Sequence, residues 1–289
     1  YTDYRLLLER KDIDVVAIAT HPGWHALISI AAMEAGKDVI SEKPMTRFIS
    51  EGRAVADAEK RFGRIFQVER KGGYNPNKVR KIFESGLLKD CDSVYVRRGG
   101  FKVKQWSGKV RYDVQDVPDS LDWDMYCGAA PLRPYHGHRF GGTHRGYWDY
   151  DGGGLSDMAH HHLHSPAYQF GRDLTSPVEV IPYAPPAHPE CCGMWGWCEL
   201  KYADGFTVVL ESGEWGKPYE GESRHLSEDD LLAMLSEEDR KKLDEMPDPE
   251  VGPFFPEAIR KRVPTGSFAE RSHRVATIYH LANVAFRCG

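Results

Sequence analysis

Residues 14–44 read DVVAIATHPGWHALISIAAMEAGKDVISEKP, and this stretch decides the fold. Asp14–Thr20 is a nearly unbroken apolar run, which is typical of a parallel strand covered on both faces. His25–Ala35 is rich in Ala, Ile, Leu and Met and predicts a helix, which Gly36 closes at a position where helices often end. A second short strand is predicted over Asp38–Ile40. The stretch therefore predicts a strand–helix–strand unit.

The same alternation continues on both sides of this stretch. Further helices are predicted over Asp3–Arg10, Glu51–Phe62 and Asn77–Glu84, and a further strand over Ile65–Val68. Strands that alternate with helices indicate a doubly wound parallel sheet. The chain has no GxGxxG-type loop before its first strand. The sequence therefore predicts an incomplete Rossmann-type parallel sheet over residues 1–92.

The pattern changes after Ser93–Arg97, and we predict a second domain of α+β type over residues 93–289. Residues 99–150 are rich in Gly, Trp, Tyr, His and Arg and show little periodicity, which is typical of a functional segment. Asp157–Phe170 predicts a helix. Strands are then predicted over Val178–Tyr183, Met194–Tyr202 and Phe206–Glu211, and helices over Leu226–Met246 (with Ser227 as its N-cap) and Phe268–Phe286.

The composition is that of a globular protein, with 41% hydrophobic and 28% charged residues. The net charge is −5 and the basic residues are scattered, which argues against nucleic acid as the main partner. No apolar run approaches the length of a membrane span, so we expect no membrane partner. No signal peptide is visible and we expect a cytoplasmic protein, but the chain begins with Tyr1, so an exported form stays open. The six cysteines form no CxxC pair and predict reduced thiols rather than a zinc site.

Lys43 is the first candidate for chemistry. It follows the predicted strand Asp38–Ile40 and precedes Pro44, which favours an extended conformation in the residue before it. Residues at the carboxyl ends of parallel strands line ligand crevices. A lysine held there beside an apolar or positive neighbour can take part in proton exchange.

Asp157 and His161 are spaced four residues apart on the predicted helix, so their side chains share one face. The triple glycine Gly152–Gly154 just before them permits close approach of the backbone. We interpret His161 as an acid or base and Asp157 as a group that orients it or binds a hydroxyl. His160 and His164 are also four apart and could share a metal with an outside ligand, but nothing in the sequence requires this, and we expect no metal.

Arg145, Trp148 and Tyr150 precede the triple glycine. An arginine among aromatic rings is a common way to hold a polyhydroxylated ring, and core packing is the competing interpretation for the aromatic residues. Trp24 and His25 lie where the first strand meets the next helix. They form either a wall of a nucleotide crevice or a packed cluster at the start of the helix.

Together these residues resemble the Gfo/Idh/MocA oxidoreductase family, which includes relatives of glucose–fructose oxidoreductase and inositol dehydrogenase. The resemblance runs over nearly the whole chain and rests on Glu42-Lys43-Pro44 together with residues 148–164, WDYDGGGLSDMAHHHLH. It implies a Rossmann domain followed by an α+β domain with an open, mostly antiparallel sheet. It also implies NAD or NADP as the cofactor, a sugar, polyol or related carbohydrate as the substrate, and a homo-oligomer, either a dimer or a tetramer.

The resemblance also implies roles for individual residues. Lys43, Asp157 and His161 would be catalytic, with His161 as the acid or base. The cofactor would lie against Thr20, Trp24, His25, Glu42, Lys43 and Pro44. The substrate would contact Arg145, Trp148, Tyr150, Asp157 and His162. Oxidation of a secondary alcohol needs a hydride acceptor and a base, which the cofactor and His161, helped by Lys43, would supply.

The chain departs from the family pattern in three ways. Members of the family normally begin with a βα unit whose Gly-rich turn seats the pyrophosphate, and here the sequence starts after that unit. Ala159 stands where many relatives have Gly, and His164 replaces a common Asp. The acidic segment Leu226–Met246 is longer than we expect. The first departure bears on cofactor binding, and the others bear on the choice of substrate.

The sequence therefore predicts an NAD(P)-dependent oxidoreductase that acts on a secondary hydroxyl of a sugar, polyol or related carbohydrate. Two alternatives stay open. Some relatives use transient oxidation by tightly held NAD to cleave glycosides. A cofactor-free binding or structural paralogue is the other alternative, which the missing Gly-rich loop favours and the intact set of Lys43, Asp157 and His161 opposes.

Overall fold

A computed structural model describes residues 3–68, 78–88, 91–96, 100–223 and 228–289. Its first sheet is parallel and contains β1 (Val15–Ile18), β2 (Asp38–Ser41) and β3 (Phe66–Val68) in that order. The helices of this half are α1 (Tyr4–Leu8), α2 (Pro22–Glu34), α3 (Ile49–Phe62) and α4 (Lys78–Glu84). The predicted Rossmann-type parallel sheet is therefore confirmed. Asn77, the predicted first residue of the fourth helix, lies outside the described residues.

Local sequence explains how α2 joins the first two strands. His21 caps the helix by accepting a hydrogen bond from the Gly23 backbone N–H, and Pro22 occupies the first turn, where its missing N–H costs no helical hydrogen bond. The chain leaves the helix at Gly36, whose φ of 81° is a conformation that favours glycine. Val39 in the middle of β2 has no exposed surface. The apolar stretch of residues 14–44 thus forms the predicted strand–helix–strand unit.

The second sheet has the strand order β4 (Ser93–Val96), β7 (Thr207–Glu211), β6 (Trp197–Lys201) and β5 (Glu179–Tyr183). The β4–β7 pair is parallel, and the other two pairs are antiparallel. β6 and β7 are joined by a hairpin in which Gly205 has a φ of 89°. The expectation of a mostly antiparallel second sheet is therefore confirmed. Arg97, the last residue of the segment after which the sequence pattern changes, lies outside the described residues.

Two long helices connect the halves of the molecule. α6 (Gly153–Gln169) and α10 (Ala269–Cys288) pack against each other, and α10 also packs along α3. Just before α10 the chain returns to the first sheet, where the hydroxyl groups of Thr265 and Ser267 donate hydrogen bonds to carbonyl groups of β3. The segment before α10 is therefore hydrogen-bonded to β3, the outer strand of the described parallel sheet. The division into domains at residues 92 and 93 stays a prediction.

The prediction of a single helix over Leu226–Met246 was wrong. The described part of this segment contains two short helices, α7 (Glu228–Ala233) and α8 (Glu237–Glu245). They are separated at Ser236, whose hydroxyl oxygen accepts a hydrogen bond from the Asp239 backbone N–H and so caps a new helix. Leu226 and the predicted cap Ser227 lie outside the described residues. The remaining α-helices of the described residues are α5 (Trp123–Cys127) and α9 (Phe255–Lys261), and two 3₁₀ helices cover Gly137–Arg139 and Gly141–Gly146.

Across the described parts of the chain, every helix is too short or too polar to cross a membrane.

Candidate functional site

Lys43 lies just beyond the carboxyl end of β2, as the sequence predicts. The backbone N–H of Glu42 still donates to the Ile18 carbonyl of β1, so the chain stays close to the neighbouring strand up to this point. The Glu42 carboxylate accepts a hydrogen bond from the Lys43 backbone N–H at 3.2 Å. The peptide bond between Lys43 and Pro44 is cis. The two hydrogen bonds of Glu42 hold the Lys43 backbone at the carboxyl ends of the parallel strands.

The Lys43 side chain reaches from the parallel sheet to α6. Its ammonium group donates hydrogen bonds to the Asp157 carboxylate at 2.8 Å and to the Asp157 backbone carbonyl at 3.0 Å. The Lys43 side chain is 14% exposed and that of Asp157 is 5% exposed. Two residues 114 positions apart in the sequence therefore form a largely buried ion pair.

A second cation binds the same carboxylate oxygen. The Nε of Arg145 donates to Asp157 Oδ1 at 2.5 Å. The Nη1 of Arg145 donates to the Gly142 carbonyl, and the guanidinium group also lies over the ring of Trp106, so its position is fixed. Burial alone would raise the pKa of Asp157, but the hydrogen bonds from Lys43 and Arg145 outweigh burial and lower it below its usual value. Asp157 is therefore an anion at neutral pH.

His161 lies one helical turn after Asp157 on α6 and is half-buried. The i,i+4 spacing puts the two side chains on one face of the helix. His162 follows in the sequence, and its Nε2 lies 2.9 Å from the Gly100 carbonyl, with the ring against Phe101. The predicted acid or base, His161, shares the helix face of Asp157, whereas the predicted substrate contact, His162, lies against the Gly100 carbonyl.

The predicted cofactor residues lie around the carboxyl ends of β1 and β2. Thr20 is exposed, and its hydroxyl donates to the His21 carbonyl at 3.2 Å. His25 is buried, and its two ring nitrogens lie 3.0 Å from the Thr20 carbonyl and 2.7 Å from the Pro44 carbonyl. His25 therefore joins the chain segments that follow the two strands and does not itself face a crevice.

Three predicted aromatic residues take different positions. Trp24 donates from its indole N–H to the Met125 carbonyl at 3.1 Å, and Trp148 donates to the His188 carbonyl at 3.0 Å, and both rings are half-buried. Tyr150 is fully buried with its hydroxyl 3.5 Å from the Cys127 sulfur. Tyr150 packs in an aromatic core, so the structure supports the packing interpretation rather than contact with a substrate.

The triple glycine serves close packing within the chain. A Cβ at Gly154 would lie 2.2 Å from the Phe101 carbonyl oxygen, and a Cβ at Gly152 would lie 2.1 Å from the Ser156 hydroxyl. A side chain at Gly154 would collide with backbone atoms, and a side chain at Gly152 would force Ser156 and Asn283 to move. The glycines let α6 begin directly against the segment at Phe101, which fixes the position of Asp157 one turn later.

Sequence analysis missed several buried polar residues next to this site. Asp151 is 2% exposed, its Oδ1 accepts a hydrogen bond from the Gly152 N–H at 2.6 Å, and its Oδ2 has no partner. Burial raises the pKa of Asp151 to about 7, and the charge of Asp157 adds to this effect. Burial also lowers the pKa values of His21 and His144 to about 4, so both are neutral at pH 7. The only signal in the sequence was the position of Asp151 directly before the triple glycine.

The metal interpretation of the histidine run gains no support. His160 and His164 are buried, with ring centroids 5.3 Å apart. Within the residues that the structure describes, no three His, Cys, Asp or Glu side chains lie close enough together to hold a metal ion.

Two family models match the chain. The NAD-binding Rossmann fold of the Gfo/Idh/MocA oxidoreductase family matches residues 1–70, and the C-terminal alpha/beta domain of the same family matches residues 73–289. The chain belongs to this family. The sequence-based resemblance is therefore confirmed, over both parts of the chain.

Individual relatives of the family match shorter segments. Levoglucosan dehydrogenase from Pseudarthrobacter phenanthrenivorans is 49% identical over 59 residues, which is 20% of this chain and 15% of that protein. A glycosyl hydrolase family 109 protein from Shewanella baltica is 45% identical over 58 residues, which is 20% of this chain and 13% of that protein. The matches therefore span well under two thirds of these curated relatives.

A solved structure extends the similarity to the whole fold. Levoglucosan dehydrogenase in complex with NADH and levoglucosan superposes with a TM-score of 0.53 at 18% identity, covering 100% of this chain and 81% of that chain. At this identity the superposition shows the fold alone. The parallel sheet followed by a mixed sheet is thus the arrangement found in this family.

Proposed function

We propose that this protein is an NAD(P)-dependent oxidoreductase that acts on a secondary hydroxyl of a sugar, polyol or related carbohydrate. The observation that carries the proposal is the contact of Lys43 and Arg145 with one carboxylate oxygen of Asp157. This contact joins Lys43, at the carboxyl end of a parallel strand, to α6, the helix on which His161 lies on the same face as Asp157. Membership of the oxidoreductase family supports the same conclusion.

The residues beside the parallel sheet fit the nicotinamide end of a dinucleotide. Ligands of open α/β sheets bind outside the carboxyl ends of the strands, and Thr20 and Lys43 follow the ends of β1 and β2, which are neighbours in the sheet. Thr20 offers an exposed hydroxyl group, and Lys43 offers an ammonium group that is still partly exposed. We infer that these two residues, together with Glu42, border the cofactor.

Bound NAD or NADP would accept a hydride from the carbon that carries the reacting hydroxyl. His161 takes the hydroxyl proton, since it is half-buried on the same helix face as Asp157. The Lys43 ammonium stabilises the negative charge that develops on the oxygen as the proton leaves. Asp157 holds Lys43 in place and is itself held by Arg145, whose remaining N–H groups can bind a neighbouring hydroxyl.

Net cleavage of a glycoside is the second candidate, and it shares the first oxidation step. The observation that favours it is the similarity to the glycosyl hydrolase family 109 protein over 58 residues. Product analysis separates the two. Free sugar without accumulation of NADH supports cleavage, whereas an oxidised sugar and stoichiometric NADH support net oxidation.

Calorimetric titration of NAD and NADP tests the proposal and the cofactor-free alternative. It is carried out on this chain and on a chain that carries the upstream βα unit expected from the family. We expect the extended chain to bind one of the two cofactors and to reduce it with at least one compound from a panel of sugars and polyols. If the extended chain binds neither cofactor, the oxidoreductase proposal is wrong.

We also propose that the protein forms a homo-oligomer, a dimer or a tetramer, through the open face of the second sheet. Half-buried aromatic rings lie next to each other on this face, including Tyr183 and Trp197 with centroids 5.1 Å apart and Trp215 at 5.1 Å from Tyr183. We infer that these partly exposed rings contribute to the contact between copies of the chain. Light scattering should give a dimer or tetramer that Trp197→Glu converts to a monomer, and a monomeric wild type would contradict this.

A further inference from the structure

Trp106 packs on Arg145, the second cation that binds Asp157. The guanidinium carbon of Arg145 lies 4.8 Å from the centre of the Trp106 ring. The ring also lies beside Gly142, since an added Cβ there would be 3.6 Å from it. The Gly142 carbonyl in turn accepts a hydrogen bond from Arg145 Nη1 at 3.1 Å. Trp106 and Gly142 together therefore limit where the guanidinium group can lie.

Arg145 needs such support to stay on Asp157. An arginine side chain loses much rotational freedom when it is held in one position. The Arg145 side chain is 26% exposed, so water competes for its N–H groups. A cation over an aromatic ring is attracted by the negative charge of the ring face, and tryptophan gives the strongest contact of this kind. The ring of Trp106 therefore favours the conformation in which Arg145 Nε donates to Asp157 Oδ1 at 2.5 Å.

Trp106 stands on a turn that is itself held in place. The Trp106 backbone N–H donates to the Lys102 carbonyl at 3.1 Å, which closes the turn. The Glu214 carboxylate accepts hydrogen bonds from the backbone N–H groups of Val103 and Lys104, at 2.9 and 2.8 Å. Glu214 follows β7, so these charge-assisted hydrogen bonds tie the turn to the end of the second sheet. The ring of Trp106 is therefore carried by a fixed backbone.

The same turn contacts the start of α6. A Cβ at Gly154 would lie 2.2 Å from the Phe101 carbonyl oxygen and 2.9 Å from the Lys102 carbonyl oxygen. Lys102 has a φ of 50°, a conformation that residues with side chains adopt rarely and keep only where the surrounding structure holds them. Asp157 lies three residues after Gly154. The turn therefore touches both the helix that carries Asp157 and the arginine that binds it.

We propose that Trp106 is a positioning residue of the candidate active site, which holds Arg145 on Asp157 and so fixes the carboxylate that binds Lys43. Trp106 acts through Arg145, and no chemical step is assigned to it. Without Arg145, the Asp157 carboxylate keeps a single cation and its orientation is less restricted. Small displacements of groups around the reacting atoms are costly for the rate. The contact with Arg145 does not depend on oxidoreductase activity, whereas its effect on turnover rests on the proposed function.

A double-mutant cycle on the purified chain tests the proposal without any substrate. Arg145→Gln, Asp157→Asn and the double variant give the coupling free energy between these two positions from urea unfolding at pH 7. We expect Trp106→Leu to reduce this coupling to about half or less, because the guanidinium group loses the ring that holds it. Trp106→Phe keeps an aromatic face and should restore most of the coupling. Phe62→Leu is the matched control, since it removes a ring 5.2 Å from Arg61 at the end of α3, and it should leave the coupling unchanged.

An unchanged coupling in folded Trp106→Leu would overturn the proposal, and so would an equal loss in Phe62→Leu. The same holds if Trp106→Phe loses as much coupling as Trp106→Leu, because the aromatic face would then not matter. If the combined variants do not fold, Glu214→Gln replaces Trp106→Leu, since it weakens the hold on the turn and leaves every ring in place. We expect Glu214→Gln to lower the coupling as well, and no change there would overturn the proposal.

Turnover gives the second readout, on the extended chain with a sugar that it oxidises. Trp106→Leu should lower kcat by about tenfold or more and leave the affinity for the cofactor unchanged, and Trp106→Phe should regain most of the wild-type rate. A wild-type kcat in Trp106→Leu would overturn the positioning role. If no variant, wild type included, oxidises any sugar or polyol, the proposed function fails, and the coupling free energies still decide the role of Trp106.

Discussion

Replacing Asp157 by Asn should destabilise the protein by about 3 kcal/mol, the order expected when one partner of a buried ion pair is removed. The carboxylate accepts hydrogen bonds from both Lys43 and Arg145, and its side chain is only 5% exposed. Asn keeps the shape but removes the charge, so two cations are left facing each other without an anion. For a chain of 289 residues this corresponds to a fall in melting temperature of roughly 5 °C.

A double-mutant cycle isolates the contact between Lys43, at the end of β2, and Asp157 on α6. Lys43→Met, Asp157→Asn and the double variant are compared by urea unfolding followed by circular dichroism. We expect a coupling free energy of about 1 to 2 kcal/mol between the two positions, since they share a partly buried ion pair. Lys60→Met on the exposed face of α3 is the control and should change stability by less than about 0.5 kcal/mol.

The pH dependence gives a second check on the same contact. The folded-state pKa of Asp157 is lowered, so its contribution is fully present above the unfolded-state pKa of about 4 and is lost as the pH falls through the lower folded value. The difference between wild type and Asp157→Asn should therefore be largest at pH 7 and shrink in acid. A loss of less than about 1 kcal/mol at pH 7, or a coupling near zero, would refute the contact.

Three further results should follow. His161→Asn should reduce turnover by at least about a hundredfold while cofactor affinity stays unchanged, because it removes only the proton acceptor. Gly154→Ala should destabilise the protein by about 1 to 3 kcal/mol and lower turnover, because the added Cβ would lie 2.2 Å from the Phe101 carbonyl oxygen. Gly193→Ala is the control, since a Cβ at Gly193 would have no other atom within 4 Å. The free energy of unfolding should fall between pH 7 and pH 5 by about 1 kcal/mol per pH unit or more. The reason is that four buried histidines, His21, His144, His273 and His280, stay neutral in the folded protein, whereas the same histidines in the unfolded chain take up protons near pH 6.5. The raised pKa values of Asp151 and Glu59 act in the opposite direction and offset this loss of stability only in part.

Each of these has a clear contrary result. Turnover of His161→Asn at the wild-type rate would remove His161 from its assigned role. Equal stability of Gly154→Ala and Gly193→Ala would mean that α6 does not begin against the Phe101 segment. A melting temperature that stays flat or rises between pH 7 and pH 5 would contradict the neutral state of the buried histidines.

The first half of the fold could be predicted from sequence because its signals are local. The run Asp14–Thr20 is apolar throughout, and Gly36 and Gly63 end helices with the left-handed conformation that glycine favours. The antiparallel strands of the second sheet were predictable for the same reason, because their apolar and polar residues alternate and Gly205 marks the hairpin between two of them. The predicted helix boundaries were less accurate where a single capping residue interrupts a longer amphipathic pattern. Ser236 is such a residue, because it caps a new helix inside the acidic segment that the pattern predicts to be one helix.

The site was only partly predictable. The spacing of Asp157 and His161 and the position of Lys43 after a strand are visible in the sequence. The ion pair between residues 43 and 157 depends instead on how α6 packs against the end of β2. Tertiary packing decides the positions of Tyr150 and His162. Both residue types are suited to binding a ligand. In the folded protein, however, Tyr150 is buried in an aromatic core and His162 lies against the Gly100 carbonyl.

Asp151 shows the opposite limit. Its sequence neighbours predict a turn before a helix, where aspartate is ordinary. Its unpaired oxygen and its raised pKa arise from burial and from the charge of Asp157, which no local pattern encodes. Buried polar groups of this kind appear only when the packing around them is known.

In the proposed function, Lys43 acts with α6 in hydride transfer from a carbohydrate. The most direct test is to measure NADH or NADPH formation by the chain extended with the upstream βα unit, using a sugar that it oxidises and the same sugar deuterated at the reacting carbon. We expect wild type to form the reduced cofactor more slowly from the deuterated sugar, and Lys43→Met to lose this activity while Lys60→Met keeps it. Unchanged turnover in Lys43→Met, or no reduced cofactor from any sugar or polyol in the panel, would contradict the claim.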